Sequence, residues 1–289
     1  MVTFLKVITI LWCVIFAIYL YRDVFKHKEK VAPKHLVLYG LMGFVLNILD
    51  TLGVGSNATQ MAFFKSTKLS PDDELPGNGN VLFAIPVAVE FVLFLDIVKV
   101  DYVTLIVMIV AAILGAVLGS KIVVKMPINT LRKALAVTLS VVAIILVART
   151  RGLGPFGVEG SAVALTGGKL IIGVIGNFVL GALMTCGVGL YAPCMALCAL
   201  LGMNITVAFP IMMGSCALLM PPASIEFIKK GKYNRKAALI APLTGILGVL
   251  VAYFVVKSMP TKVLTYIVAV VLIFMSISFI RSIRNEKNK

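Results

Sequence analysis

Residues 43–62 read GFVLNILDTLGVGSNATQMA, and residues 177–196 read NFVLGALMTCGVGLYAPCMA. The two stretches align without a gap, and each has Gly-Val-Gly at its centre, at 53–55 and at 187–189. An internal duplication of about a hundred residues in an apolar chain is typical of secondary transporters. In such proteins, interruptions at matching places in the two halves indicate where the substrate binds.

A second match follows the first at nearly the same offset. Ile113-Leu114-Gly115 corresponds to Ile246-Leu247-Gly248, and the Met-Pro pair at 126–127 corresponds to the pair at 259–260. The likeness therefore extends beyond one motif and through most of each half.

Composition places the chain in a membrane. Of its 289 residues, 60% are hydrophobic and 13% are charged, whereas soluble domains have about 25% charged residues. Apolar runs of about 20 residues, the length of a membrane-spanning helix, recur along the chain. They are continuous rather than alternating, which disfavours a transmembrane barrel. We predict an all-α polytopic membrane protein built from two homologous repeats of about four helical segments each, with one extra N-terminal transmembrane helix.

The domain boundaries follow the charges and the glycines. Residues 1–35 form the N-terminal transmembrane helix and a basic loop, and 36–148 form the first repeat. A glycine-rich linker covers 149–169, and 170–289 hold the second repeat and a basic tail. Lys and Arg collect in short loops, so the net charge of +15 fits the positive-inside rule better than nucleic-acid binding. We expect a cytoplasmic membrane location, with the N-terminus outside and the C-terminus in the cytoplasm.

The first segment of each repeat is expected to be broken or re-entrant. These segments cover about 36–64 and 170–201, too long for one crossing and too short for two. A glycine break gives two half-helices, which either continue across or fold back. The re-entrant alternative places more of the 27 Lys and Arg on the cytoplasmic side and makes the repeats inverted, but both alternatives stay open.

A half-helix that begins inside the membrane directs free N–H groups and a partial positive charge at whatever lies before it. Gly53 to Thr59 and Gly187 to Tyr191 are each predicted to begin such a half-helix, which makes an anion site without Lys or Arg. Ser56 and Asn57 suit the cap position. The predicted substrate-binding residues are Gly53, Gly55, Ser56, Asn57, Thr59, Thr185, Gly187, Gly189 and Tyr191.

Asp50 and Glu90 are acidic residues inside apolar segments. Carboxylates in a membrane cost several kcal/mol unless they are protonated or paired, and they often carry protons. We expect Asp50, and secondarily Glu90, to couple proton movement to substrate. The alternative is that each is neutral and only bonds a neighbouring helix.

Together these features resemble the TauE/SafE-type sulfite exporter family, which is grouped with the toluene-sulfonate uptake permeases. The resemblance rests on the glycine-broken opening of each half, the basic turns at 98–102 and 231–234, the glycine-bearing helices and the Met-Pro turns, over about 36–282. It implies transport of a small sulfur-containing anion, such as sulfite or an organosulfonate, across the cytoplasmic membrane.

Other functions remain as alternatives. A channel-like permease for another solute would fit the breaks, and a structural subunit of a membrane complex would fit the composition. An intramembrane enzyme is disfavoured, because His27 and His35 lie outside the apolar segments and no catalytic motif occurs. We therefore predict no catalytic residues, metal or cofactor. The expected partners are a small anion and membrane lipid, but not nucleic acid, and a homo-oligomer stays open.

Overall fold

The computed structural model describes residues 2–27, 30–119, 128–151, 160–184 and 189–287. Over these residues the regular structure is helical, and one isolated bridge joins Ala162 to Met203. The helices are α1 (Val2–Lys26), α2 (Pro33–Thr51), α3 (Ser56–Thr67), α4 (Leu75–Val81), α5 (Ala84–Ile97), α6 (Tyr102–Leu114), α7 (Ile128–Thr150), α8 (Gly167–Met184), α9 (Tyr191–Leu200), α10 (Ala208–Lys229), α11 (Arg235–Ala238), α12 (Ala241–Ser258) and α13 (Thr261–Lys287). A π-helical turn, Gly115–Gly119, extends α6.

Long apolar helices confirm the predicted class of a polytopic all-α membrane protein. Within the described ranges, 6 helical stretches are long and apolar enough to cross a membrane. They are Val2–Lys26, Asp72–Ile97, Gly167–Met184, Ile205–Lys229, Ala241–Ser258 and Thr261–Arg284. The first of these is the extra N-terminal helix that the sequence predicts.

The first compact unit comprises Met1–Thr51, Gly55–Ile97 and Cys216–Lys257. In it, α1 packs along α5, and the Lys6 ammonium pairs with the Asp96 carboxylate. Helix α2 passes so close to α12 that Gly43 has no room for a Cβ atom beside the backbone of Ala241.

The second compact unit comprises Leu52–Val54, Val98–Ser215 and Ser258–Lys289. Helix α7 packs along α13, and α6 packs along α8. The buried Asn177 amide joins the latter pair by donating to the Met108 carbonyl at 2.7 Å. Each unit contains parts of both predicted repeats.

Helix α3 folds back along α2. The rings of Tyr39, early in α2, and Phe64, late in α3, have centroids 6.5 Å apart. A straight continuation through 25 residues would separate them by about 37 Å. The first interrupted segment is therefore a helical hairpin rather than a straight, broken helix.

The second interrupted segment makes the same kind of hairpin. A Cβ atom on Gly176 of α8 would lie 2.7 Å from Leu197 Cδ2 of α9, and one on Gly173 would lie 3.4 Å from Leu201 Cδ1. A straight helix would place Gly176 and Leu197 about 31 Å apart. In both segments the structure thus shows a chain that folds back rather than one that continues straight through the break.

Corresponding residues of the two predicted repeats make corresponding contacts. In the first unit Gly248 lies against the backbone oxygen of Phe44, and in the second unit Gly115 lies against that of Phe178. Phe44 matches Phe178 in the aligned sequences, and Gly115 matches Gly248. In each unit, a glycine-bearing helix of one repeat thus packs on the broken segment of the other.

The starts of α6 and α11, which lie at matching places in the two predicted repeats, are capped in the same way. Asp101 caps α6 by accepting a hydrogen bond from the Thr104 N–H at 2.8 Å. Asn234 caps α11 by accepting one from the Ala237 N–H at 2.9 Å. Asp and Asn are favoured at this position because the side chain satisfies an N–H that the helix cannot.

Candidate functional site

The first break lies between α2 and α3. Gly53 and Gly55 have φ of 97° and 81°, values that L-residues with a side chain adopt only at a cost. This is why the helix stops at Thr51 and resumes at Ser56, three residues later than the sequence predicts.

Helix α3 begins without a side-chain cap. Its cap residue is Gly55, which has no side chain, and no side-chain hydrogen bond caps the helix. The prediction that Ser56 and Asn57 occupy the cap position is therefore wrong, because both lie in the first turn of the helix. The first-turn N–H groups and the positive end of the helix dipole consequently face the break.

Asp50 lies just before this break, one residue from the end of α2. It is 1% exposed, and in the described part of the chain no hydrogen bond of normal geometry reaches either carboxyl oxygen. The Ser56 backbone N–H and hydroxyl face this carboxyl. The first unit thus places a buried carboxyl group beside the start of α3.

Glu90 joins the same cluster from α5. It is fully buried, and its Oε1 accepts a hydrogen bond from the Thr51 hydroxyl at 2.8 Å. The Cys216 thiol lies within electrostatic range of both carboxyl groups. Within the described ranges, no group of three or more His, Cys, Asp or Glu side chains could hold a metal ion.

Other predicted site residues in α3 are engaged in local structure. The Thr59 hydroxyl donates to the backbone oxygens of Gly55 and Ser56, at 3.2 and 3.1 Å. Asn57 is 8% exposed, and its Oδ1 packs against Gly79. These contacts favour a structural role for both side chains.

The second break is described in part. Thr185 and Gly187 lie outside the described residues. Gly189 has a backbone conformation that other residues can adopt, and a Cβ atom there would meet no described atom within 4 Å. Tyr191 begins α9 and is 4% exposed. Gly189 therefore borders open space at the start of a helix whose cap residue, Leu190, makes no side-chain cap hydrogen bond.

The first break also contacts α9 within the second unit. A Cβ atom on Gly53 would lie 2.6 Å from Met195 Cε and 3.8 Å from Met212 Cε. Because Gly53 has no side chain, the methionine side chains can approach it closely and its backbone can adopt the left-handed φ. Within the second unit, Gly53 therefore packs on the half-helix that follows the second break.

The sequence prediction missed Asn47. This residue is fully buried, its Nδ2 donates to the Gly43 oxygen at 2.7 Å, and its Oδ1 has no partner among the described residues. It lies one helical turn before Thr51, whose hydroxyl oxygen is 2.8 Å from the Asn47 backbone oxygen as well as from Glu90 Oε1. The single Thr51 proton can be donated to only one of these two oxygens at a time. A polar residue at i−4 from Thr51 in an apolar helix is the signal that could have identified it.

Long apolar helices, two helical hairpins and a buried acidic pair define a multi-pass helical membrane protein. The family model of the sulfite exporter TauE/SafE matches residues 2–146. The match covers half of the chain and includes α1, the first hairpin, Asp50 and Glu90. The chain therefore belongs to the TauE/SafE sulfite exporter family, whose members are membrane transporters of sulfite-type anions rather than enzymes. No curated protein and no solved structure matches the chain.

Proposed function

We propose that this protein is a proton-coupled secondary transporter of a small sulfur-containing anion, sulfite or an organosulfonate, in the cytoplasmic membrane. Family membership supports the class of cargo. The observation that carries the mechanism is the start of α3, an uncapped helix N-terminus inside an apolar segment with the buried Asp50 carboxyl beside it.

The anion binds at the helix starts that follow the breaks. Backbone N–H groups and the helix dipole stabilise an anion without a Lys or Arg side chain. Half-helix N-termini of transporters bind anionic groups of substrates in this way. Gly53, Gly55 and Ser56 form this start in the first repeat, and Thr185, Gly187, Gly189 and Tyr191 are its predicted counterparts in the second.

Asp50 couples the anion to a proton. When charged, its carboxylate repels an anion at the start of α3, and two unit charges about 4 Å apart repel by about 4 kcal/mol near a protein surface. When protonated, Asp50 no longer opposes the anion. Proton and anion therefore bind together and move in the same direction.

Glu90 has a secondary role in this scheme. The Thr51 hydroxyl links it to the end of α2 at 2.8 Å, one residue from Asp50. A second carboxyl group in the cluster can exchange the proton with Asp50 and connect it to a proton pathway.

Anion uptake by proteoliposomes tests this function. Radiolabelled sulfite, sulfate, thiosulfate and a small organosulfonate are supplied separately, with and without a pH gradient. We expect saturable flux of sulfite or the organosulfonate that increases with acid on the side of the anion. Correctly folded protein that moves none of the four anions would contradict the proposal.

Gly189→Leu locates the path of the anion. The new side chain fills the open space beside the second break, so we expect the flux to fall at least tenfold while the protein folds normally. Gly168→Leu is the matched control, because Gly168 also has no atom of a described residue within 4 Å of its Cβ position but lies at the exposed start of α8. Equal flux in the two variants would remove Gly189 from the site.

A further inference from the structure

A large basic cavity lies at the C-terminal end of α1, in the first unit. It has a volume of about 1010 Å³ and is lined by Arg22, Asp23 and Lys26 of α1 and by Lys229 and Arg235. Four of these residues are cations and one is a carboxylate. We propose that this cavity binds the headgroup of an anionic phospholipid.

The position along α1 fits a lipid headgroup. The hydrocarbon core is about 30 Å thick, which corresponds to about 20 helical residues, and α1 is apolar from Val2 to about Tyr21 apart from Lys6. Its aliphatic side chains face outward along this length, for example Leu11 and Ile15, which are 58% and 57% exposed. The cavity begins at Ile18, so it lies at the level where the hydrocarbon gives way to headgroups.

The positive charges in the cavity favour the binding of an anion. Arg22 and Lys26 lie one helical turn apart on the same face of α1, where two like charges destabilise a helix. Neither forms an ion pair with a carboxylate in the described part of the chain. A phosphate group placed near both cations relieves this repulsion.

The one carboxylate of the cavity is already engaged. Asp23 accepts hydrogen bonds from the Tyr233 hydroxyl at 2.6 Å and from Arg235 Nε at 2.8 Å. Partial burial disfavours the charge on Arg235, but the hydrogen bond and charge attraction of Asp23, together with the interactions of Tyr233, outweigh this effect and raise the pKa of the guanidinium. These bonds tie α1 to α11 and hold the wall of the cavity in place, while leaving Arg22 and Lys26 for the ligand.

Tyr21 supplies a further observation. Its hydroxyl oxygen is buried and has no hydrogen-bond partner among the described residues, and the residue lines the cavity. A buried donor without a partner destabilises the protein. The hydroxyl is shielded from the cavity in this structure, so the Tyr21 side chain must turn for a headgroup oxygen to accept its hydrogen bond.

The rim of the cavity favours a lipid over a free inorganic anion. Ile18, Tyr19 and Phe25 line it and are 56%, 37% and 58% exposed. Tyrosine is enriched at membrane interfaces, where the ring meets apolar chains and the hydroxyl meets headgroups. Acyl chains can therefore lie against this rim while the phosphate lies among the cations.

Lipid titration of the full-length protein in detergent tests the site. Binding of phosphatidylglycerol, phosphatidylcholine and inorganic phosphate is measured by native mass spectrometry and by thermal shift. We expect phosphatidylglycerol to bind well above phosphatidylcholine, and the double variant R22Q/K26Q to weaken it about 30-fold. Both substituted side chains are exposed, so the fold should persist.

Two further variants sharpen the test. K230Q/K262Q also removes two positive charges, but at exposed positions outside the cavity lining. We expect it to change the affinity for phosphatidylglycerol less than twofold. Tyr21→Phe removes only the hydroxyl, and we expect about fivefold weaker binding. Equal losses in R22Q/K26Q and K230Q/K262Q would overturn the proposal. So would inorganic phosphate binding as tightly as the lipid, which would indicate a free-anion site.

Discussion

At the residue scale, the proposed function depends on how Asp50 and Glu90 are held. Both are buried, and the Thr51 hydroxyl donates to Glu90. The sequence identifies both residues as candidates, because they are acidic and lie inside apolar segments. It does not predict that they form one cluster, because Thr51 and Glu90 are 39 positions apart. The second repeat gives no hint either, since Asp50 aligns with Met184 and Glu90 aligns with Ala223, both apolar.

Thr51→Val tests the link between α2 and α5. Valine has nearly the same shape but cannot donate to Glu90, so a buried carboxyl group loses a hydrogen bond. We expect the free energy of unfolding to fall by about 1–3 kcal/mol, together with a change in the pH profile of transport. Thr51→Ser is the control, because it keeps the hydroxyl and should restore most of both properties. If Val and Ser variants behaved alike, the hydrogen bond would have no role.

At the element scale, the two helical hairpins are the central feature. Matching glycines predict both breaks, because Gly53 and Gly187 occupy the same place in aligned repeats. The local sequence does not determine the direction in which the chain leaves each break. This direction follows from contacts such as Tyr39 with Phe64 and Gly176 with Leu197, which form only when the segment folds back.

The helix crossings are expected to be sensitive to a single methyl group. Gly115→Ala and Gly248→Ala each place a Cβ atom against a backbone oxygen, of Phe178 and Phe44 respectively. Backbone cannot move aside as a flexible side chain can, so we expect each change to lower stability by about 1–3 kcal/mol, measured by thermal unfolding. Gly168→Ala meets no atom within 4 Å in the part of the chain that the structure describes, and it should leave the unfolding temperature unchanged. A stability equal to that of the control in either variant would contradict the observed close approach.

At the scale of the whole molecule, sequence similarity indicates that the chain contains two related halves but not how the halves pack. The contacts of Phe44 with Gly248 and of Phe178 with Gly115 show that each half contributes to both compact units. Which copy packs on which depends on the three-dimensional path of the chain, and an alignment of the copies contains no information about it. The family and the membrane class were predictable because they depend on composition and on the repeated motif.

Simultaneous measurement of anion and proton flux in proteoliposomes tests the central claim most directly. Radiolabelled sulfite reports the anion, and a pH-sensitive dye inside the vesicles reports the proton, for the natural protein, for Asp50→Asn and for the exposed control Asp72→Asn. We predict that sulfite and protons enter together in the natural protein and in Asp72→Asn. In Asp50→Asn, sulfite should enter without protons and without dependence on the pH gradient. Coupled flux that persists in Asp50→Asn, or sulfite flux in the natural protein without any proton movement, would contradict the claim.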